Sequence, residues 1–159
     1  MLNLFNGQSV LLVGLGESGL ACARWMLAQG ATLTVIDSRE QPPGLQDLKS
    51  AYPDVAVVHT LGSAPWGFSR VVVSPGLPPH HDLMQSVLAA ANAHETPVDS
   101  ELDLFADALL ALKEQRGYEP KLVGVTGTNG KTTTVRMVEC LCRFAGQSVV
   151  AAGNISPAA

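Results

Sequence analysis

Charge is scarce in this chain. Asp, Glu, Lys and Arg make up 15% of its 159 residues, against about 25% in an ordinary soluble domain. The 10 Lys and Arg form no cluster and the formal net charge is -4, so the concentrated cations that non-specific nucleic-acid binding requires are missing. Long apolar runs are missing too. Every run falls far short of the roughly 20 residues of a membrane helix. The start, "MLNLFNGQSVLLVG", lacks the positive residues and cleavage site of a signal peptide. Cysteines number three. Cys22 sits in an apolar helical pattern, while Cys140 and Cys142 are two apart on a predicted helix and point to different faces. They read as buried or half-buried free thiols rather than a metal pair. An odd count without an export signal points to the reducing cytoplasm. There are no repeats and no low-complexity tract.

What is present is apolar. Hydrophobic residues reach 47%, enough for a substantial core in one full domain, or in a small domain followed by part of another. "SVLLV" (9–13) reads as a buried parallel strand. Residues 19–29 turn helical, with Leu20, Ala23 and Leu27 on one face and Gly30 as the stop. "TLTVID" (32–37) is a second strand, a short helix follows over 45–52, and "VAVVH" (55–59) and "RVVVSPG" (70–76) are a third and fourth strand. "HDLMQSVLAAANAHE" is helical and "TPV" (96–98) is a fifth strand. Strands alternating with helices predict an α/β fold, a Rossmann-like parallel sheet with helices on both faces, closing near residue 98. "DSELDLFADALLALKEQ" is a long helix capped by Asp99 or Ser100. Beyond it, "LVGVT" (122–126) is expected as a buried strand and "SVVAA" (148–152) as one more strand, around a helix over 132–144. Residues 99–159 thus read as the strand–loop–helix–strand opening of an incomplete second domain.

Two glycine-rich loops carry the chemistry. "GLGESG" sets Gly14, Gly16 and Gly19 in the G-x-G-x-x-G spacing between strand and helix. One glycine makes the turn, one admits a ligand to the backbone, and one lets helix pack on strand. The helix start offers free N–H groups to an anion. Asp37 ends the next strand 21 residues after Gly16, where a carboxylate commonly meets a ribose hydroxyl. Three readings fit: a bound NAD, glycines that serve packing alone, or another nucleotide with its diphosphate elsewhere. "SPG" (74–76) lies at the carboxyl end of the fourth strand. It is either an ordinary turn or, with "GLGESG" and "DSR" (37–39), part of one crevice at the carboxyl edge of the sheet.

The second loop, "GVTGTNGKTTT" (124–134), is a variant of the ATP-binding P-loop. Gly130-Lys131-Thr132 fits the end of G-x-x-x-x-G-K-[ST], but Val125 stands where its first glycine belongs. Gly127, Asn129 and Gly130 allow backbone N–H groups to turn around phosphate oxygens. Lys131 supplies charge, and the Thr132 hydroxyl can ligate Mg²⁺. A lysine at a helix start opposes the dipole unless an anion is present. The remaining candidates are weaker. His80 and His81 are adjacent and diverge, which reads as a solvated loop rather than a metal site. His59 and His94 have no evident partner, and Trp25 and Trp66 read as packing residues.

The variant loop, preceded by "GLGESG", "DSR", "SPG" and "SELDLF" and followed by "GNISP", resembles the Mur ligase superfamily, and within it the D-glutamate-adding branch, from about residue 8 to the end. The resemblance implies an ATP-dependent acid–amino-acid ligase of cytoplasmic peptidoglycan synthesis. ATP phosphorylates the carboxylate of UDP-N-acetylmuramoyl-L-alanine, and the amine of D-glutamate attacks the acyl phosphate. The Rossmann-like domain (1–98) would hold UDP rather than NAD, and residues 99–159 would begin the ATP domain. Glu17, Ser18 and Gly19 would line the UDP site, Asp37, Ser38 and Arg39 the uracil, and Ser74 and Gly76 would complete the pocket. Gly127, Thr128, Asn129, Gly130, Lys131, Thr132 and Thr133 would hold ATP, with Mg²⁺ on Thr132. Lys131 would serve catalysis, and Asn154 would touch the substrate near its reacting end. Glu17 takes a position often apolar in this family. The family's D-glutamate contacts and further metal ligands fall beyond residue 159, so the chain is expected to be an N-terminal piece without ligase activity of its own. Two other identities account for part of the pattern: an NAD-dependent dehydrogenase fragment, which leaves "GTNGKTT" unused, and a regulatory nucleotide-binding module. Another Mur-type ligase with a different amino acid is a further alternative.

Overall fold

The computed structural model describes residues 2–62 and 66–153. Its elements run β1 (Ser9–Val13), α1 (Glu17–Ala28), β2 (Thr32–Ile36), α2 (Leu45–Ala51), β3 (Ala56–Val58), β4 (Arg70–Val73), α3 (Asp82–Ala93), β5 (Val98–Ser100), α4 (Glu101–Arg116) and α5 (Lys131–Phe144). The five strands form one sheet in the order β3-β2-β1-β4-β5, and every neighbouring pair is parallel. The strand order reverses direction beside β1, between β1 and β4. That is where an open α/β sheet leaves a crevice at the carboxyl ends of its strands.

Alternation along β1 explains why this strand is central. Val10 and Leu12 face a core completed by Phe5, Cys22, Ala23, Met26, Leu33, Val35, Leu48 and Val72. Leu11 and Val13 face a second core with Ile36, Val71, Leu83, Met84, Val87 and Ala91. A strand buried on both faces must be apolar wherever it is buried, and residues 10–13, all buried, are Val, Leu, Leu and Val. α1 and α2 cover the first face and α3 the second.

The fifth strand lies two residues later than its composition suggests. Val98, Asp99 and Ser100 pair with Val71, Val72 and Val73. Ser100 is then also the N-cap of α4, in a reciprocal capping box with Asp103. α4 packs back on the sheet. Leu104 is 3% exposed within the first core. Arg70, at the start of β4, lies over the Phe5 ring at 5.4 Å, donates to Asp107 at 2.9 Å, and sits 2.8 Å from Asp99. Burial raises the Asp99 carboxyl, the Arg70 charge opposes this, and Asp103 and Asp107 add to the rise. The sheet and the start of α4 are therefore one packed unit.

The strands expected over 122–126 and 148–152 do not form. Leu122 and Val123 are 64% and 70% exposed, and Val150 is 81% exposed. A strand is stable only beside another strand that satisfies its backbone groups, and no described residue pairs with these segments. α5 forms, one residue earlier than expected, but none of its residues is buried.

The tryptophans pack as expected. Trp25 meets Phe5 edge-on at 5.5 Å. Trp66 donates from Nε1 to Thr96 Oγ1 at 2.8 Å and stacks on His94, so His94 has the partner its sequence context did not reveal. The thiols depart from expectation at one position: Cys22 is buried and Cys142 half-buried, but Cys140 is exposed, on a helix that buries none of its residues. Burial, with the Glu101 charge adding, pushes the Cys22 thiol up to about 12 despite its backbone hydrogen bond. With a disulfide-exchange reagent at pH 8, Cys140 is expected to react first. Cys22 should react only after denaturation, and stoichiometric labelling of all three thiols in the native protein would contradict this burial.

Candidate functional site

The first glycine loop is built by steric necessity. Gly14 has φ +91°, a conformation other residues adopt only under strain. Its N–H donates to Ile36 O at 2.8 Å, tying the loop to the end of β2. Gly19 sits on the first turn of α1, and a Cβ there would lie 2.1 Å from the Gly14 carbonyl oxygen. Only two glycines let helix and turn approach this closely. Gly16, by contrast, faces open space. It is the N-cap of α1 and makes no side-chain cap bond, so the first N–H groups of the helix point outward unsatisfied by any side chain.

Asp37 closes the base of the loop. It is 1% exposed. Oδ2 accepts from Leu15 N at 2.8 Å and Arg39 Nη2 at 2.7 Å. Oδ1 accepts from Arg39 N at 3.0 Å and Arg39 Nε at 2.9 Å. Burial alone would raise this carboxyl, but the hydrogen bonds from Arg39 and Leu15 and the Arg39 charge outweigh it and hold the group at about 2. His59 adds a bond on the backbone side, its Nδ1 standing 3.0 Å from Asp37 O. A carbonyl only accepts, so Nδ1 carries the proton.

Around this base lies a crevice of about 370 Å³, lined by Gly14, Gly16, Asp37, Ser38, Arg39, Ser74, Gly76, Leu77, Pro78 and His81. The segments "GLGESG", "DSR" and "SPG" thus meet at one place. Asp37, Ser38, Arg39, Ser74 and Gly76 line the crevice, whereas Gly19 is buried against the Gly14 turn and is not a lining residue. Glu17 and Ser18 belong to the first turn of α1 but are not among the lining residues, and Glu17 is exposed. Two features are not evident from the sequence. Leu77 and Pro78 form a wall, and half-buried His81 joins it. "PPHHD" shows no periodicity. The available signal is the position of His81 immediately before an amphipathic helix, where a capping side chain is expected.

Residues 8–96 match the profile of the Mur ligase MurD-like N-terminal domain. The chain belongs to the MurD-like branch of the Mur ligases. It is 45% identical to UDP-N-acetylmuramoylalanine–D-glutamate ligase of Bordetella pertussis over 157 residues, which cover 94% of this chain and 31% of that protein. The corresponding ligase of Burkholderia mallei is 47% identical over 152 residues, 94% of this chain and 30% of its own length. The chain therefore spans about a third of these MurD relatives. Among solved structures, UDP-N-acetylmuramate–alanine ligase MurC of Thermotoga maritima superposes with a TM-score of 0.53 at 22% identity, over 89% of this chain and 30% of that one, which shows a shared fold.

The second glycine loop has a different character. Gly127 and Gly130 have φ +147° and +74°, and Gly130 is the N-cap of α5 without a side-chain bond. No acidic residue stands in the first turn of α5. Lys131 bends back and donates from Nζ to the carbonyls of Gly127 and Thr128. Gly127, Thr128, Asn129, Gly130, Lys131, Thr132 and Thr133 are all exposed. An uncapped helix start, free of carboxylates and with a lysine curled over it, has the donor set a polyphosphate needs. Asn154 lies outside the described residues. Among the described residues no group of three or more His, Cys, Asp or Glu is placed to hold a metal, and no helix is long and apolar enough to cross a membrane.

Proposed function

We propose that the chain is the substrate-holding part of a cytoplasmic UDP-N-acetylmuramoyl-L-alanine:D-glutamate ligase, with the UDP end of the substrate seated in the crevice of residues 1–98. One observation carries the choice of nucleotide. Both oxygens of Asp37 are consumed by Leu15 and Arg39, so no free carboxylate remains to read a ribose diol in the manner of an NAD site. The groups left open are neutral or cationic donors: the backbone N–H groups at the start of α1 beside Gly16, together with Ser38, Arg39 and Ser74. They suit a pyrimidine and a diphosphate, with the polypeptide at Gly76 close enough for backbone contact. The names of the relatives point to the same substrate.

In this reading residues 99–159 begin the ATP-binding unit. Lys131 and the N–H groups from Gly127 to Thr133 would hold the phosphates of ATP, and the Thr132 hydroxyl would hold Mg²⁺. ATP supplies the phosphoryl group that activates the substrate carboxylate. Lys131 would leave its loop carbonyls to meet the phosphates, and Asn154 would approach the substrate. D-glutamate would be the second substrate. Phosphoryl transfer depends on preorganised donors in a water-excluded site, and the loop here is exposed along its whole length.

Calorimetric titration separates the readings. The 159-residue protein is expected to bind UDP-N-acetylmuramoyl-L-alanine and UDP, and to leave NAD unbound. Binding of NAD without the UDP compounds would overturn the assignment. In the same preparation, Mg-ATP and D-glutamate are expected to yield no amide; product above the enzyme-free rate would refute the view that the exposed loop lacks a complete active site.

A further inference from the structure

We infer that His81 is a ligand-contacting residue of the crevice, donating from Nε2 to a phosphate oxygen of the nucleoside diphosphate; this rests on the UDP reading proposed above. The histidine caps α3. Its Nδ1 accepts from Leu83 N at 3.2 Å. A backbone N–H only donates, so Nδ1 carries a lone pair and the ring proton is on Nε2. Nε2 lies on the far side of the ring from the cap, and His81 is one of the residues lining the crevice. The cap thus fixes the tautomer and leaves Nε2–H as the uncommitted donor of a ring that lines the cavity.

Capping alone does not account for an imidazole. Ser, Thr, Asp and Asn are the preferred caps, and none of them reaches as far. A second observation marks the same cavity as a ligand site. Ser74 lines the crevice and is 5% exposed; its hydroxyl makes no hydrogen bond to any described residue and is not one of the sealed-off unpartnered atoms, so it is open to the cavity and free to meet a ligand. The α1 start at Gly16, Ser74 and His81 line one cavity. A diphosphate there would receive backbone N–H groups from α1, the serine hydroxyl, and the imidazole N–H from the opposite helix.

Two substitutions separate the two roles of the side chain. His81→Asn keeps an acceptor at the Nδ1 position and removes the Nε2 donor. His81→Gln places an amide donor near the Nε2 position and gives up the cap. Calorimetry with UDP, and competition with uridine, which lacks phosphate, read the donor; urea unfolding reads the cap. The Asn variant is expected to unfold like the parent and to bind UDP roughly tenfold more weakly, with uridine unchanged. The Gln variant is expected to be less stable and to recover part of the UDP affinity. Parental UDP binding by the Asn variant overturns the inference, as does an equal loss for UDP and uridine. Failure of the parent protein itself to bind UDP overturns the crevice assignment first, and this inference with it.

Discussion

Replacing Gly19 with alanine is expected to lower the unfolding free energy by roughly 3 kcal/mol and the midpoint temperature by roughly 10 °C. In most helices this exchange is favourable, by up to about 1 kcal/mol, because alanine has the better propensity. Here the new Cβ would stand 2.1 Å from the Gly14 carbonyl oxygen and 3.0 Å from its carbon. The obstacle is backbone, so no rotamer change relieves it. Either α1 lifts from β1, exposing Cys22, Ala23 and Met26, or the turn at Gly14 opens and breaks its bond to Ile36. Both routes also spread the crevice, so nucleotide binding should fall with stability. Gly16→Ala is the control. Nothing stands within 4 Å of its added methyl group, and its φ of -85° suits any residue. Its stability should change by less than about 0.5 kcal/mol. Equal unfolding midpoints in urea for the Gly19 variant and the parent would refute the packing argument.

Asp37→Ala is expected to cost about 3 kcal/mol, the low end for breaking a buried charge pair, because its partner Arg39 is half-exposed and can be rehydrated. The loss has two parts: the Leu15 N–H is left unpaired at a buried position, and the "DSR" turn loses the anchor holding it to "GLGESG". The same group gives the fold an acid limit. Its carboxyl sits at about 2 in the native protein and near 3.9 in an unfolded chain. A depressed native value means the unfolded state binds the proton more readily. The stabilisation, about 2.6 kcal/mol, is present above pH 4 and is lost as the pH falls from 4 toward 2. Asp37→Asn should flatten that part of the stability–pH curve. An unchanged acid limb in the variant would show that other carboxylates set it.

Much of the Rossmann-like half is legible from local pattern. A strand such as "SVLLV" carries its own burial signal because both its faces meet helices. The G-x-G-x-x-G spacing states its steric purpose within six residues, and Gly19 fulfils it. Pairing information is less legible. "TPV" alone suggests a strand at 96–98, but registration against β4 carries the ladder through Ser100, since a short edge strand is positioned by its neighbour rather than its composition. The segments 122–126 and 148–152 depart from expectation for a related reason. Their composition suits strands, yet strand formation is a property of pairs, and no described residue supplies a partner.

The sequence by itself determined the parallel α/β order, the two phosphate-loop spacings and the family, because periodicity and glycine placement act over a few residues and are written locally. Only the tertiary structure decided what the chemistry-bearing side chains do. It turned Asp37 from a candidate ribose acceptor into a fully bonded anchor, brought His81 from an expected solvated loop into the crevice wall, and left Glu17 outside. Those outcomes depend on distances between segments far apart in the chain. Asp37 is 22 residues from the Leu15 N–H it holds, and sequence spacing does not report which donor reaches a carboxylate first.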